Sequence, residues 1–322
     1  MEASRADPLS GVDRTRQRTR WRRGLLFQEA VEGYLMVLPW LLGFLVFTAG
    51  PMLASAVLAF TSYDILTPAK FVGLANLSLM LRDPLFLKSL GNTAYYTFIG
   101  VPLHVTVALL AALLLNLRRP GINFYRTAYY MPSITPAVAN ALLWLWIFNP
   151  DFGLANIVLG AFHLPPQKWL WSVREATPSF ILMSLWGLGS QMVVFLAGLQ
   201  NVPQQLHEAA QMDGAGVLAR FRFVTLPMLS PIILFNLVLA VIGSFQVFTV
   251  AFIATNGGPE NATLYYVLYL YENGFSFFKM GYASALAWVL FVIILIFTLI
   301  QFKLSRHWVY YEGEIRQGSG EG

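Results

Sequence analysis

The sequence predicts an all-α membrane protein with six transmembrane helices. Of its 322 residues, 57% are hydrophobic and only 11% are charged, with a mean hydropathy of +0.60. A typical soluble domain carries about 25% charged residues. Six apolar runs are long enough to cross a bilayer, and all 16 Asp and Glu residues lie outside them. The chain has no cysteine, which excludes disulfides and cysteine–metal sites.

The first half of the chain predicts three spans. They cover about residues 34–60, 89–117 and 127–148. Pro39 and Pro51 fall in the first span, where neighbouring helices can satisfy the freed backbone groups. Trp144 and Trp146 end the third span, as expected for side chains at the membrane interface.

The second half predicts three further spans. They cover about residues 178–199, 228–254 and 280–302. Between the third and fourth spans, Ala155–Phe162 is apolar but too short to cross, which predicts an interfacial helix. After the fifth span, Thr255–Pro259 predicts a turn, followed by a loop that continues to about Phe278.

The basic residues predict the orientation. With six spans, the segments on the side of the two termini hold 15 Lys and Arg residues, and the opposite segments hold six. The positive-inside rule therefore places both termini in the cytoplasm. This predicts a disordered basic tail at 1–33, a membrane domain at 34–302 and a cytoplasmic tail at 303–322. The net charge of +5 reflects this distribution and does not indicate nucleic-acid binding.

The segment 201–227 lies in the longest stretch between Trp186 and Phe302 that is not apolar, and it predicts a helical hairpin. Pro203 suits a first helical position, and Gly214 stands just past the end of the first helix, where a left-handed residue is favoured. A second short helix is predicted from Ala215 to Val224, ended by Leu226-Pro227. On pattern alone, a surface linker with an amphipathic helix remains an alternative.

Eight residues of this hairpin resemble the EAA loop of ABC importer permeases, the membrane subunits of binding-protein-dependent importers. They are Glu208, Ala209, Ala210, Asp213, Gly214, Ala215, Leu226 and Pro227. The resemblance implies the type I ABC importer permease fold. It also implies a cytoplasmic hairpin whose first helix docks into a cleft on a separate ATPase subunit.

The chain lacks the sequence signals of an ATPase or an ion-coupled carrier. None of its five lysines follows glycine, so the Gly-Lys-Ser/Thr phosphate-binding loop is missing. Coupled carriers usually place a carboxylate at mid-membrane, and none is predicted there. His104 is the one ionisable side chain well inside a span, and an interhelical hydrogen bond is its favoured interpretation. We expect no catalytic site, metal site or cofactor, with ATP bound by a partner.

Neutral polar side chains inside the fourth and fifth spans predict a path for an uncharged, hydroxyl-rich solute. They are Ser190, Gln191, Asn236, Ser244 and Gln246. A neutral polar group in hydrocarbon needs a partner helix or a water-filled path, so hydrogen bonding between helices remains an equal alternative. Gly187 and Gly189 are expected to leave room for the solute beside Ser190.

Three further segments are similar to permeases that import sugars and glycerol 3-phosphate. They are Tyr125–Pro132, Thr255–Pro259 and Ala283–Ala287, within a resemblance from about Gly33 to Trp308. By position, this resemblance places Gly187, Ser190 and Ser244 along the sugar. It implies a prokaryotic plasma-membrane location and these partners: a second permease subunit, an ATP-binding subunit dimer, an extracytoplasmic solute-binding protein, a carbohydrate and membrane lipid.

Two other functions remain open from the residues themselves. One is a secondary carrier, which the missing mid-membrane acid disfavours. The other is a non-transporting membrane sensor or scaffold that docks a cytoplasmic partner through the hairpin. Uptake that requires both ATP and a binding protein would distinguish a permease from either alternative.

Overall fold

The computed structural model describes residues 10–117 and 119–310, with side chains from residue 27 onward. The chain divides into two compact units, residues 1–57 and 58–322. The predicted C-terminal tail beyond residue 310 lies outside the described residues.

The first unit is helical. Its helices are Ser10–Phe44 (α1) and, after a π-helical turn at Leu45–Ala49, Gly50–Leu58 (α2). Together, residues 27–58 are long and apolar enough to cross a membrane. The expectation of a disordered tail is wrong for residues 10–33, which are helical, whereas residues 1–9 lie outside the described part.

The first part of the second unit combines a small hairpin with several helices. Strands β1 (Thr61–Ser62) and β2 (Lys70–Phe71) pair antiparallel, with Thr61 opposite Phe71. The helices that follow are Ala75–Arg82 (α3), Pro84–Tyr95 (α4), Val101–Leu115 (α5), Ile122–Tyr130 (α6), Ala137–Ile147 (α7) and Leu154–Ala161 (α8). A π-helical turn at Tyr96–Gly100 joins α4 to α5, so that one continuous helix runs through residues 84–115.

The remaining helices complete the bundle. They are Ala176–Trp186 (α9), Gly189–Asn201 (α10), Gln204–Met212 (α11), Val217–Arg220 (α12), Leu226–Phe245 (α13), Thr249–Ala254 (α14), Tyr266–Tyr271 (α15) and Met280–Ser305 (α16). Helices α5, α10, α13 and α16 supply much of the buried core of this unit, including Met192, Phe195, Leu229 and Leu286. The helix predicted at 280–302 is present as α16, which is long and apolar enough to cross a membrane and continues three residues past the expected end to Ser305.

Within the described residues, four helices are long and apolar enough to cross a membrane, and a bent pair brings the number to five. The third predicted span, 127–148, is not one helix. It is divided into α6, a 3-10 turn at Met131–Ile134 and the short α7. Thr135 is extended, with φ −69° and ψ 130°, because the following Pro136 disfavours helical geometry in the residue before it.

The second span begins at Pro84, five residues earlier than predicted. The carboxylate of Asp83 accepts a hydrogen bond from the Leu85 N–H at 2.9 Å and so caps the helix. Proline suits the position after the cap because its missing N–H would have had no partner in the helix. Helix-terminal signals therefore outweigh the polar composition of residues 84–88.

The fourth predicted span is bent by 49° between α9 and α10, at Gly187 and Leu188. Gly189, just after the bend, lies directly against another part of the chain. A Cβ at Gly189 would stand 2.6 Å from the Tyr129 carbonyl oxygen. The expectation that Gly189 leaves room for a solute is therefore wrong, since its missing side chain permits close backbone packing.

Leu226-Pro227 does not end a helix, contrary to the sequence prediction. Residues 217–245 continue from α12 through a π-helical turn at Phe221–Thr225 into α13. The Leu226 N–H bonds to the Phe221 carbonyl, five residues back. This shifted hydrogen-bond register admits Pro227, which has no N–H to donate. The second arm of the hairpin and the fifth span are therefore one helix.

The segment after the fifth span is helical and largely buried, where the sequence predicted a loop. Helix α15 and a π-helical turn at Glu272–Ser276 follow the turn at residues 255–265. Side chains of other helices hold that turn in place. Asn92 donates to the carbonyls of Asn261 and Leu264, and Thr177 donates to the Ala262 carbonyl.

Candidate functional site

The hairpin between α10 and α13 ends its first helix as predicted. Gly214 is left-handed, with φ +81°. The Ala215 N–H bonds to the Ala210 carbonyl, and the Gly214 N–H bonds to the Gln211 carbonyl, at 2.9 and 3.0 Å. This pair of bonds is a Schellman motif, which favours glycine at its left-handed position.

The tip of the hairpin presents both charged and apolar side chains. Glu208, Ala209 and Asp213 are exposed, and Gln204 Nε2 donates to Glu208 Oε1 at 2.7 Å. Around the Gly214 turn, Met212, Val217 and Leu218 are 88%, 77% and 78% exposed. Apolar side chains this exposed, with polar groups beside them, are typical of a protein-docking surface.

A polar contact connects the two arms of the hairpin. Arg220 Nη1 on α12 donates to Gln211 Oε1 on α11 at 3.2 Å. The Arg220 Nε is buried and has no hydrogen-bond partner among the described residues. The next basic residue, Arg222, instead lies over the Phe223 ring at 5.8 Å. Arg220 therefore fixes α11 against the start of the long α12–α13 helix.

Two adjoining cavities lie between the helices of the second unit. Cavity A, of about 180 Å³, is lined by Tyr96, Gly100, Val101, His104, Ser184, Gln191, Ala240, Gly243, Ser244 and Val247. Cavity B, of about 250 Å³, is lined by Tyr96, Ala137, Asn140, Phe180, Met183, Ser184, Val247, Phe248, Thr249 and Val250. The shared residues Tyr96, Ser184 and Val247 place the two cavities side by side.

Most polar groups of the cavities are neutral, and two of them have unused hydrogen-bonding capacity. The amide oxygens of Gln191 and Asn140 are buried without a partner among the described residues. His104 on α5 lies close enough to the Ser184 backbone on α9 to interact with it, which agrees with the interhelical interpretation of that histidine. Because a buried polar group without a partner costs free energy, a ligand with hydroxyl groups would be stabilised beside Gln191 and Asn140.

The structure separates the predicted path residues into three groups. Gln191 and Ser244 line cavity A. Asn236 is buried and donates to the Ile232 carbonyl of its own helix, at 3.1 Å. Ser190 and Gln246 are exposed, Gly187 ends α9 at the bend, and none of the three lines cavity A or B.

Sequence reasoning missed several cavity residues, chiefly Tyr96, Asn140 and Ser184. Asn140 lies in the predicted third span and carries the same signal as Gln191, an amide within an apolar run. Tyr96 and Ser184 carry no such signal, since tyrosine and serine are common in membrane helices. Only the packing of α4, α5 and α9 brings them together.

A third feature lies at the start of the second span. Asp83 accepts hydrogen bonds from the hydroxyls of Tyr269 and Tyr282, the latter at 2.9 Å. Burial acts to raise the pKa of Asp83, but these bonds and the N–H groups of Leu85 and Phe86 hold it below its usual value. Burial, together with the bond to Asp83, raises the pKa of Tyr269 to about 12. This cluster ties α15 and α16 to the N-terminus of α4.

Comparison with known proteins gives a consistent family. Residues 104–309 match the family described as "Binding-protein-dependent transport system inner membrane component". The probable ABC transporter permease protein YesP of Bacillus subtilis is 45% identical over 293 residues, covering 89% of this chain and 94% of YesP. The arabinooligosaccharides transport system permease protein AraP of the same species is 34% identical, covering 88% of this chain and 91% of AraP.

A solved structure shares the fold. A chain of a bacterial ABC transporter involved in the import of the acidic polysaccharide alginate superposes with a TM-score of 0.79 at 23% identity. The match covers 89% of this chain and 99% of that one. This agreement confirms the type I ABC importer permease fold. The apolar helices and the family description place the protein in the prokaryotic inner membrane. The chain belongs to the family of binding-protein-dependent transport system inner membrane components, the permeases of ABC importers.

Proposed function

We propose that this chain carries an uncharged sugar or oligosaccharide across the inner membrane, as one permease subunit of an ABC importer. The observation that carries the proposal is the connection between cavity A and the hairpin. Gln191 lies on α10, which leads into α11, and Ser244 lies on the helix that continues from α12. Movement of the hairpin is thus transmitted directly to both walls of the cavity.

The orientation follows from the basic residues. We place the hairpin and both termini in the cytoplasm and the segments 61–83, 149–175 and 255–279 outside. The chain then crosses six times, with the third crossing made by the broken α6–α7 pair. Phe180 and Met183 of cavity B precede Gln191 of cavity A along the fourth span, which runs inward. Thr249 and Val250 of cavity B follow Ser244 of cavity A along the fifth span, which runs outward. In this orientation cavity B is therefore the outer cavity.

The partners follow from the family and from the hairpin surface. A separate ATPase binds and hydrolyses ATP and receives the hairpin through the exposed residues Glu208 and Met212 of α11 and Val217 of α12. A second permease subunit completes the path, and two ATPase copies bind below. A solute-binding protein delivers the sugar from outside. ATP binding closes the ATPases and moves the hairpins together, so that the spans alternate between inward-open and outward-open forms.

A sugar is supported by chemistry and by relatives. Apart from His104, the side chains lining the two cavities are neutral and non-titrating or phenolic, which suits an uncharged solute with hydroxyl groups. The cargoes named for similar permeases include arabinooligosaccharides, trehalose and maltose, lactose, and sulfoquinovosyl glycerol. All of these contain a sugar, and the first three names denote sugars of more than one unit.

The test is uptake into proteoliposomes that contain the purified complex of this chain with its second permease and ATPase. We expect uptake of a neutral oligosaccharide only when ATP is inside and the binding protein is outside. Uptake driven by a proton or sodium gradient without ATP would show a secondary carrier. Absence of uptake, with intact binding of the ATPase, would show a scaffold.

A further inference from the structure

Four aromatic rings form a continuous series of stacked, tilted and edge-to-face contacts that starts at cavity B. Phe248 and Phe252 stack with ring centroids 5.4 Å apart, and both contact Tyr271, at 5.0 and 5.4 Å. Tyr271 then stacks on Phe275 at 5.2 Å. The rings belong to three segments: the break before α14, α14 itself, and the α15 helix with its π-helical turn.

This series of rings, hereafter the aromatic track, joins a cavity wall to the protein surface. Phe248 lines cavity B. Phe252 is 40% exposed and Phe275, the last ring of the series, is 58% exposed, so the track reaches the surface. On the proposed orientation, the exposed end of the track points outward, toward the side from which the sugar arrives.

The chemistry of the track suits a carbohydrate. The two faces of a pyranose ring carry C–H groups, which pack against a flat aromatic ring while the equatorial hydroxyls stay free to bond elsewhere. Ligand pockets commonly combine such aromatic walls with a few placed polar groups, and here Asn140 and Gln191 supply the latter. An aromatic belt at a membrane interface favours Trp and Tyr, whose polar tips reach water, whereas three of these four residues are Phe.

The cavities alone are small. Their volumes of about 180 and 250 Å³ lie below the range of roughly 300–1,000 Å³ typical of small-molecule sites. A sugar chain with one end in the cavities would extend past Phe248. The aromatic track is the surface it would meet on leaving cavity B.

We propose that the aromatic track is a carbohydrate subsite that holds the trailing units of an oligosaccharide while its leading unit occupies the cavities. The proposal rests on the proposed function and adds a length preference to it. Longer oligosaccharides contact more of the track, whereas the shortest substrate contacts only the cavities. Loss of a track ring should therefore reduce uptake of long chains more than of short ones.

The experiment uses the complete reconstituted importer and two series of linear neutral oligosaccharides, arabinooligosaccharides and malto-oligosaccharides, from the disaccharide upward. Uptake is compared for wild type, Phe252→Leu, Phe252→Tyr and Phe275→Leu. Leucine keeps an apolar side chain of similar size but removes the flat ring. Phe235→Leu is the matched control, because Phe235 is a similarly exposed phenylalanine, 54%, on α13 and outside the track.

We expect Phe252→Leu and Phe275→Leu to reduce uptake of the longest transported chain about fivefold relative to the disaccharide, as fits the loss of one aromatic contact. Phe252→Tyr and Phe235→Leu should keep the wild-type length profile. An unchanged profile in both leucine variants would overturn the track while leaving the proposed function intact. Loss of the second permease from the purified variant complex would also overturn it, by showing that the rings are a subunit contact. Failure of the wild type to take up any oligosaccharide with ATP would instead reject the proposed function.

Discussion

The hydroxyl groups of Ser244 on α13 and Thr97 in the second span are hydrogen-bonded at 2.9 Å, and both side chains are buried. Ser244 also bonds to the Val241 carbonyl of its own helix at 2.8 Å. Ser244 thus lines cavity A with its single O–H donor already engaged within the protein. Gln191, on the facing helix, has a buried amide oxygen with no partner among the described residues. The two residues should therefore respond differently to substitution.

Ser244→Ala is expected to lower stability more than transport. The substitution leaves the Thr97 hydroxyl without its interhelical partner, at a cost of about 1 kcal/mol. The melting temperature of the purified complex in detergent should fall, while uptake per folded complex stays within about twofold of wild type. Ser190→Ala is the control, since Ser190 is exposed and its loss should leave the melting temperature unchanged.

Gln191→Leu is expected to show the opposite pattern. The buried amide oxygen of Gln191 has no partner among the described residues, so replacing the amide removes an unsatisfied polar atom and should not lower stability. Sugar uptake should fall at least about tenfold as the site loses a hydrogen-bonding group, and discrimination between sugar epimers should weaken. ATPase stimulation by the binding protein should persist. Gln246→Leu, at an exposed position outside both cavities, should leave uptake near wild type; an equal loss there would contradict the assignment of the cavity.

Gly214→Asp and Glu208→Lys are expected to uncouple the chain from its ATPase without unfolding it. Gly214 has φ +81°, a conformation that costs a residue with a Cβ about 1 kcal/mol or more. Glu208→Lys reverses an exposed charge on the docking helix. Co-purification of the ATPase should fall in both variants. Gly216→Asp is the matched control, because Gly216 has φ −68° and open space around it.

Arg220→Gln is expected to reduce transport more than ATPase docking. It removes the contact between Gln211 and Arg220 that fixes α11 to α12, while the exposed docking surface stays unchanged. The amount of sugar moved per ATP hydrolysed should therefore drop while the ATPase still co-purifies. Arg222→Gln removes the same charge two residues later, over Phe223, and should keep the wild-type ratio. Equal ratios in the two variants would show that Arg220 has no role in coupling.

The Asp83 cluster predicts that its contribution to the free energy of unfolding stays constant over a range of pH and falls in both acid and alkali. The folded-state pKa of Asp83 is below its usual 3.8. Its contribution to the free energy of unfolding is therefore complete above about pH 4 and is lost as pH falls through the folded-state pKa. The pKa of Tyr269 is raised to about 12, so its contribution is complete below about pH 10 and is lost as pH rises through about 12. Thermal unfolding of wild type and Asp83→Asn across this range measures the effect. The difference between them should shrink below about pH 4 and hold constant from pH 5 to 9; a difference independent of pH throughout would contradict the assignment.

The elements governed by local chemistry were predictable from sequence. The Schellman turn at Gly214 needs only the residue types around it, and the sixth span only the length of its apolar run. The broken helices were harder, because proline has opposite outcomes in different settings. Pro136 ends helical geometry through its effect on Thr135, whereas Pro227 is absorbed by a π-helical turn. That difference depends on whether a shifted hydrogen bond is available, which a sequence pattern does not report.

The candidate site was predictable only in part for a similar reason. Gln191 and Ser244 were identified as polar groups in apolar runs, but the same signal also selected Ser190, Gln246 and Asn236, which do not line the cavities. A shift of one residue rotates a side chain by about 100° around the helix, so the adjacent Ser190 and Gln191 meet different neighbours. The 49° bend before them also changes the direction of the helix axis. The aromatic track joins residues more than twenty positions apart in sequence, so only the tertiary structure brings it together.

On the proposed function, the continuous helix from Val217 to Phe245 would transmit movement between its two ends. At about 1.5 Å per residue it is roughly 40 Å long, with the hairpin at one end and Ser244 at the other. Tilting such a rod by about 5° about one end displaces the other by about 3.5 Å, more than the length of a hydrogen bond. On the proposed function, a small rotation imposed by a docked ATPase would be large enough to break or form contacts between a sugar and the cavity wall. The helix would transmit this movement from the hairpin to the cavity without unwinding.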